Sequence, residues 1–524
     1  MATNRLFDGI RRMVETRVRT SAAAHHAASH SSRDLAGWNP RRGTSADFDL
    51  GPELPTLVAR ARDADRNNGV ARSGINTIID NVVGSGLRLS ARPNYLALGR
   101  DKQWAVEWAQ QVESLFHSWW WSTACHAGDT LNGDQILEQS FRAKLMNGDA
   151  LALPLWLPDR GDGFATKLQT VEADRLSNPY GMPDSMTLRS GIEFDEFGMP
   201  LAYQIRTTAP GDFLLLGGQT YPTWTRIPRK TEFGRLRVIH DFDQERAGQS
   251  RGKPLLTAVM THFKQADRYI AAELMAAVVN GMVAGTIETP LDQEAIIELF
   301  AKDNEAYLKA RQESAVRLEG GSLIPLFPGD KMTPFIPGRP AAAFGPFLEN
   351  VFRIVAVGLD MPYELLLKDF SKTTYSSARA SMLEAWRSFN RRRDRLGTAF
   401  MDPVYALFIE ELVNDGRVEA PGFYDNRASY LRCRWIGPGK GWVDPVREAQ
   451  AAQIRIDSNI STLEDECAEQ GKDWREVLEQ KAVEVSEMAR LGISDQAALR
   501  ASNPVASGPL DVPQPKQPGQ RSAP

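Results

Sequence analysis

The stretch from Ser376 to Asn414 constrains the chain most, because Leu383, Trp386, Phe389, Leu396 and Phe400 recur along it at helical spacing. It predicts one very long helix with those side chains turned inward. Pro403 should bend it, since proline removes a backbone donor and crowds the preceding turn. Before it, Leu57 to Val83 reads as two helices. Asn68 caps the second, whose Val70, Ile75, Ile78, Ile79 and Val82 recur at helical spacing until Gly84 ends it. Leu87 and Leu89 then alternate with Arg88 and Ser90 as in a half-buried strand. Gln103 to Trp121 predicts a helix with Trp104, Trp108, Leu115 and Trp119 on one face, a stripe that reads as packing rather than as a base-stacking platform.

Residues 164–240 change character to short alternating segments broken at Asn178-Pro179-Tyr180-Gly181 and Asp195-Glu196-Phe197-Gly198, so hairpins are expected. Helix resumes from Pro254 to Val283, and Leu291 to Glu319 gives a charged helix. Pro325, Pro328, Pro334, Pro337 and Pro340 then punctuate a compact segment of short strands. Pro346 to Leu359 reads as a short apolar helix, Tyr363 to Tyr375 as a polar loop, and Asp444 to Leu491 as a helical region broken near Gly471. Ser21 to Gly51 lacks periodicity, and Ser494 to Pro524 holds six prolines and no aromatic residue, so both ends read as loose tails. The fold class is mixed α/β with helices dominant, and 524 residues leave room for roughly three or four domain-sized units.

Composition removes several function classes. The net charge is −4 with basic and acidic residues mixed, whereas proteins that grip DNA through phosphate neutralisation carry a basic excess. Any contact with nucleic acid should therefore be weak and sliding. Cys125, Cys433 and Cys467 lie far apart, without the spacing of a zinc site or a disulfide framework, and are expected to be free thiols. The most apolar stretch, Ala271 to Ile287, includes Glu273 and Asn280, which speaks against a membrane span. Leu6, Ile10, Val14 and Val18 with interspersed arginines resemble a transit peptide, but Asp8 and Glu15 oppose that reading.

Gly248-Gln249-Ser250-Arg251-Gly252 matches G-x-S-x-G, with Ser250 as the candidate nucleophile of a serine hydrolase. The later histidine, His262, leaves no room for the acid that should stand between them. Asp63, Asp65 and Asn67 open like a calcium loop, yet Asn68 and Gly74 stand where glycine and glutamate are needed. His25, His26 and His30 sit in a low-complexity arm with nothing to orient them on a metal. No phosphate-cradling G-x-x-x-x-G-K-[ST] occurs. Arg391, Arg392, Arg393 and Arg395 fan around a helix, so at least half should be solvated or paired with acids. Catalytic, cofactor and metal residues are therefore expected to be none, and a monomeric DNA-binding module lacks the basic surface it would need.

Several segments resemble the lambda-like phage portal family: RARDADRNNGVARSGINTIIDNVVGSGLRLSARP at Arg60 to Pro93, GIEFDEFGMPLAY at Gly191 to Tyr203, VIHDFDQERAGQSRGKP at Val238 to Pro254, and above all GLDMPYELLLKDFSKTTYSSARASMLEAW at Gly358 to Trp386. Thr374 departs from a family that often carries asparagine there. The resemblance implies a structural, non-enzymatic portal fold assembling as a cyclic ring, a dodecamer, at one capsid vertex of the virion, and present in the host cytoplasm during assembly. Its parts would be an N-terminal arm (1–50), a wing (51–252), a first stem helix (253–283), a clip (284–339), a second stem helix (340–361), a tunnel loop (362–377), a spine helix with wing completion (378–440), a helical crown (441–495) and a tail (496–524). The partners it implies are other copies of the chain, double-stranded DNA read without sequence preference, the large terminase subunit, a major capsid or scaffolding protein, and the head-completion or tail connector protein. The channel-lining residues would be Lys368, Asp369, Phe370, Ser371, Lys372, Thr373, Thr374 and Tyr375, and the serine motif would be a structural turn. The wing faces bearing Trp104, Trp108 and Trp119, and Ile75, Ile79 and Val82, would supply area for neighbouring subunits.

Overall fold

The computed structural model describes residues 43–160, 163–212, 222–282, 285–288, 331–334, 344–441 and 444–492. The histidine cluster, the transit-like segment, the charged helix at 291–319, most of the clip and the C-terminal tail lie outside these residues.

In chain order the helices are α1 (Ala46–Leu50), α2 (Leu54–Asn67), α3 (Gly69–Val82), α4 (Lys102–Trp120), α5 (Gly133–Asn147), α6 (Met260–Met282), α7 (Phe344–Gly358), α8 (Tyr363–Leu367), α9 (Tyr375–Leu396), α10 (Asp402–Asn414), α11 (Arg427–Tyr430), α12 (Pro445–Asp457), α13 (Leu463–Glu469) and α14 (Trp474–Arg490). The strands are β1 (Arg88–Ala91), β2 (Asp149–Trp156), β3 (Thr166–Val171), β4 (Leu188–Arg189), β5 (Ile192–Phe194), β6 (Pro200–Arg206), β7 (Trp224–Pro228), β8 (Ile239–Phe242), β9 (Gly285–Glu288), β10 (Lys331–Pro334) and β11 (Cys433–Ile436).

Local chemistry explains most boundaries. Asn68 ends α2 in extended backbone and its side chain accepts from the Ala71 N–H, starting α3. Asn132 and Gln135 form a capping box that opens α5, and Gly148, in the left-handed region, closes it. The large core joins α3, α4, α5, α9 and α10, with Ile75, Trp119, Phe116, Phe400 and Phe408 at its centre. Two antiparallel sheets, ordered β3-β2-β8 and β4-β5-β6-β7, enclose a second core of Leu151, Val171, Ile192, Tyr203 and Ile205. Strand β2 tolerates Pro154 because β8 pairs only with residues 149–152, so no ladder bond is lost there. Strand β1 pairs antiparallel with β11, joining residues far apart in sequence (Arg88 opposite Ile436).

Five expectations are corrected. Residues 43–50 are not loose: Ser45 caps α1, and buried Asp47 accepts from the Ser250 N–H at 2.7 Å and pairs with Arg189 at 3.1 Å, contacts that offset the ordering entropy. The helix expected from Pro254 begins as a 3₁₀ turn, Leu255–Ala258, before α6. The long helix is interrupted by a π-helical turn at Gly397–Met401, ahead of Pro403, which occupies the tolerated first turn of α10. Leu383 is 55% exposed because its stretch of α9 borders an open cleft rather than the core. Trp108, Trp119, Ile75, Ile79 and Val82 are consumed by the chain's own core, leaving no spare area for a neighbour. Outward-facing apolar side chains include those on α6 (Leu274, Met275, Val278), on α7 (Phe347, Ile354, Val357) and on the C-terminal helices (Val446, Ile454, Val483, Val485).

Candidate DNA-channel segment

Helix α7 is apolar except for Glu349, Asn350 and Arg353, of which Glu349 and Arg353 form an i,i+4 pair at 2.8 Å. It ends at Gly358, and Asp360 turns the chain through the left-handed region toward α8. The expected polar loop from Tyr363 to Tyr375 is therefore corrected: its first third is the helix α8, whose buried Leu366 packs over Gly74 of α3. A Cβ at Gly74 would come within 2.9 Å of the Leu359 Cδ1 and 3.1 Å of the Leu366 Cδ1, so any larger residue would have to push these leucine ends aside. Ser73 Oγ donates to the Leu366 carbonyl at 2.7 Å and pins the root of the loop.

Lys368 ends α8 in the left-handed region, and the true loop runs from there to Thr374. Asp369 accepts from the Ser371 N–H at 3.0 Å, hydrogen bonding that holds its carboxyl below the usual carboxylate range. Thr373 Oγ1 donates to the Phe370 carbonyl at 2.8 Å. Thr374 forms a capping box with Ser377 and starts α9 at Tyr375. The loop is thus folded locally while Lys368, Asp369, Phe370, Ser371, Lys372 and Thr374 remain exposed.

Sequence reasoning missed Glu349. Its Oε2 lies 2.7 Å from Lys372 Nζ, and Arg353 and Lys372 together hold its carboxyl below the ordinary value, while Glu349 raises the Lys372 ammonium. The one acid of a mainly apolar helix was the available signal. Exposed pairs of this kind contribute little to stability, but this one sets where the Lys372 charge rests.

The arginine cluster is spent on structure. Arg391 and Arg392 both reach Asp360 at 3.3 Å, and Arg395 reaches Asp243 at 3.0 Å. Arg393 donates to the carbonyls of Asn81, Val82 and Pro438 and stacks over Trp386. The G-x-S-x-G segment is likewise structural. Ser250 Oγ is buried without a hydrogen-bond partner, inaccessible to a substrate. The Gln249 side chain accepts from the Glu245 and Arg246 N–H groups, Arg251 pairs with buried Asp149, and a Cβ at Gly252 would lie 1.8 Å from the Gly148 carbonyl oxygen. The hydrolase alternative is therefore set aside. No group of His, Cys, Asp and Glu among the described residues could hold a metal, and no described helix is long and apolar enough to cross a membrane.

The family model for the lambda-family phage portal protein matches residues 31–393. Portal protein B of Escherichia phage lambda is 28% identical over 506 residues, covering 93% of this chain and 94% of that protein. The portal protein of Escherichia phage N15 is 29% identical over 510 residues, with the same two coverages. Among solved structures, a chain from the neck of an empty GTA particle covers 85% of this chain and 99% of its own length at 13% identity and a TM-score of 0.44. A family match spanning well over half of the sequence leads to one assignment: the chain belongs to the lambda family of phage portal proteins, a structural rather than an enzymatic family.

Proposed function

We propose that the chain is one subunit of a closed twelve-membered ring at a capsid vertex, through which double-stranded DNA is packaged and ejected. The observation that carries this reading is the similarity along 93% of the chain to the portal proteins of phages lambda and N15. The outward apolar side chains of α6 and α7 support it, because a cyclic head-to-tail interface would cover one such face on every subunit without leaving exposed ends. In this reading α6 and α7 are the stem, β9 and β10 lie in the clip, and α12 to α14 form the crown. The ring docks the terminase motor through the clip during packaging, the connector afterwards, and capsid or scaffolding protein at its periphery. Its place is the portal vertex of the virion, with the host cytoplasm as the site of assembly. Purified protein imaged by negative stain is expected to give closed rings with a central hole; a monodisperse monomer at high concentration would overturn the reading.

The loop Lys368–Thr374 is the channel-lining segment. Repeated around an axis, its lysines form circlets facing a duplex that carries one phosphate per ~1.7 Å of axis. Asp369 and Glu349 in every subunit temper that charge, as passage of a moving duplex requires. Since Glu349 already holds Lys372, Lys368 should contribute the larger share. Lys368→Ala with Lys372→Ala is expected to leave rings and capsids intact while impairing completion or retention of packaged DNA, more severely at higher salt. Wild-type yields of full-length genomes across a salt series would remove the loop from the DNA path.

A further inference from the structure

The C-terminal helices rest on the remainder of the chain without burying into it. No side chain of α12, α13 or α14 is buried. A cleft of about 650 Å³, lined by Leu383, Trp386, Ala452 and Ile456 among others, separates α12 and α13 from α9. A second, of about 590 Å³, lies between α4 and α14. Apart from close backbone packing of Gln470 and Gly471 on Gly437 to Gly439, the gaps are bridged mainly by ion pairs with the cation on the sheet side. Arg88 and Arg92, on and just after β1, and Arg434 on β11 all point at carboxylates of the C-terminal helices: Arg88 meets Glu476 at 2.7 Å, Arg434 meets Asp465 at 2.9 Å, and Arg92 meets Glu464. Lys440 adds Glu469 at 3.1 Å, and its N–H donates to the Glu469 carbonyl. Every one of these pairs is partly open to solvent and therefore within reach of screening ions.

We propose that α12 to α14 act as an electrostatic strap, held on the β1–β11 sheet by ion pairs rather than by a shared apolar core, so that they lift off as ionic strength rises and uncover an arginine row. The sheet beneath is independently anchored, since Leu87, Ala91 and Ile436 are buried, so the strap can part from it without dissolving it. This device stands on the single chain and does not depend on the ring.

Glu113 on α4 lies beneath the strap and gives it a pH dependence of the same sense. Its Oε1 accepts from the Ala91 N–H at 2.6 Å. Burial pushes its carboxyl up to about 7, against the lowering effect of the Ala91 N–H and Arg475, with Asp473 and Glu476 raising it further. The charged or titratable groups around it are Arg88 on β1, His117 on α4, Tyr405 on α10, and Asp473, Arg475, Glu476 and Glu479 of the strap. With the docked value above the ordinary one, docking is favoured while Glu113 keeps its proton and weakens as pH rises through about 7.

The strap carries its own reporter. Cys467 on α13 borders the larger cleft, whereas Cys125 is fully buried in the core. Thiol labelling of the full-length protein, read peptide by peptide, is expected to accelerate at Cys467 by about tenfold between 0.05 and 1 M NaCl, with Cys125 unchanged. Arg92→Glu with Arg434→Glu should reproduce the acceleration at low salt. Arg92→Glu alone should be reversed by adding Glu464→Arg, which restores the pair with its signs exchanged. Glu113→Gln should slow Cys467 labelling relative to the unaltered chain at pH 8 but not at pH 5.5. Salt-independent labelling of the unaltered protein, or acceleration at Cys125 in step with Cys467, would overturn the strap, and this arm requires no variant to fold. Equal rates for Glu113→Gln and the unaltered chain at pH 8 would refute the role of Glu113.

Discussion

Arg251→Ala is expected to destabilise the protein by about 3–5 kcal/mol, the range for removing one partner of a buried ion pair. Asp149 is fully buried, and Arg251 contacts both of its oxygens while donating to the carbonyls of Ala173 and Leu176 at 3.0 Å each. One guanidinium thus ties β2 to the loop leading into the second sheet and to the approach of α6. Burial alone would raise the Asp149 carboxyl, but Arg251 and the hydrogen bond with His240 hold it below its ordinary value. A lowered folded value means that this stabilisation is present above the unfolded value and is lost as pH falls through the folded one. The gap between the unaltered protein and R251A in urea unfolding should therefore be full near neutrality and shrink below about pH 4. Arg251→Lys should fall between the two, since a point charge keeps the attraction but loses the fork that serves the carbonyls. An unchanged unfolding midpoint for R251A would show that Asp149 finds its compensation elsewhere.

Trp386→Ala is the second large effect, at about 3–5 kcal/mol. The indole is 6% exposed, meets Phe389 edge-on at 6.2 Å, and lies beneath the Arg393 guanidinium that binds three backbone carbonyls. Clefts already flank it on two sides, so truncation would merge open space rather than let the surroundings close. Calorimetry should show a lowered melting temperature, and the yield of closed rings should fall with it. Unchanged melting and unchanged rings would mean that α9 is not the spine of the subunit.

The elements read from periodicity and caps survive best. Asn68 divides α2 from α3, the tryptophan stripe of α4 packs inward, the Asp195–Gly198 turn joins β5 to β6, and Gly471 separates α13 from α14. What stayed hidden depends on contacts between distant residues. Spacing shows that Leu383 and Phe389 belong to one helix, but not that a cleft opens beside the former. The same limit applies to α3 and α4: their apolar faces were visible, but the partners that cover them lie far along the chain, α8 and α9 over α3 and Phe408 of α10 over α4. The loop was legible through the family motif, whereas the charge that meets Lys372 comes from an acid 23 residues away.

The π-helical turn has a consequence of its own. Its defining bond runs from the Asp402 N–H to the Gly397 carbonyl, five residues back, so this stretch holds one residue more than regular winding requires. The extra residue shifts the phase of everything after it, and Val404, Tyr405 and Phe408 are fully buried only in that shifted phase. Deleting one residue between Gly397 and Met401 would restore uniform winding and rotate those three side chains by about 100° away from the core. At this point the number of residues matters as much as their kinds.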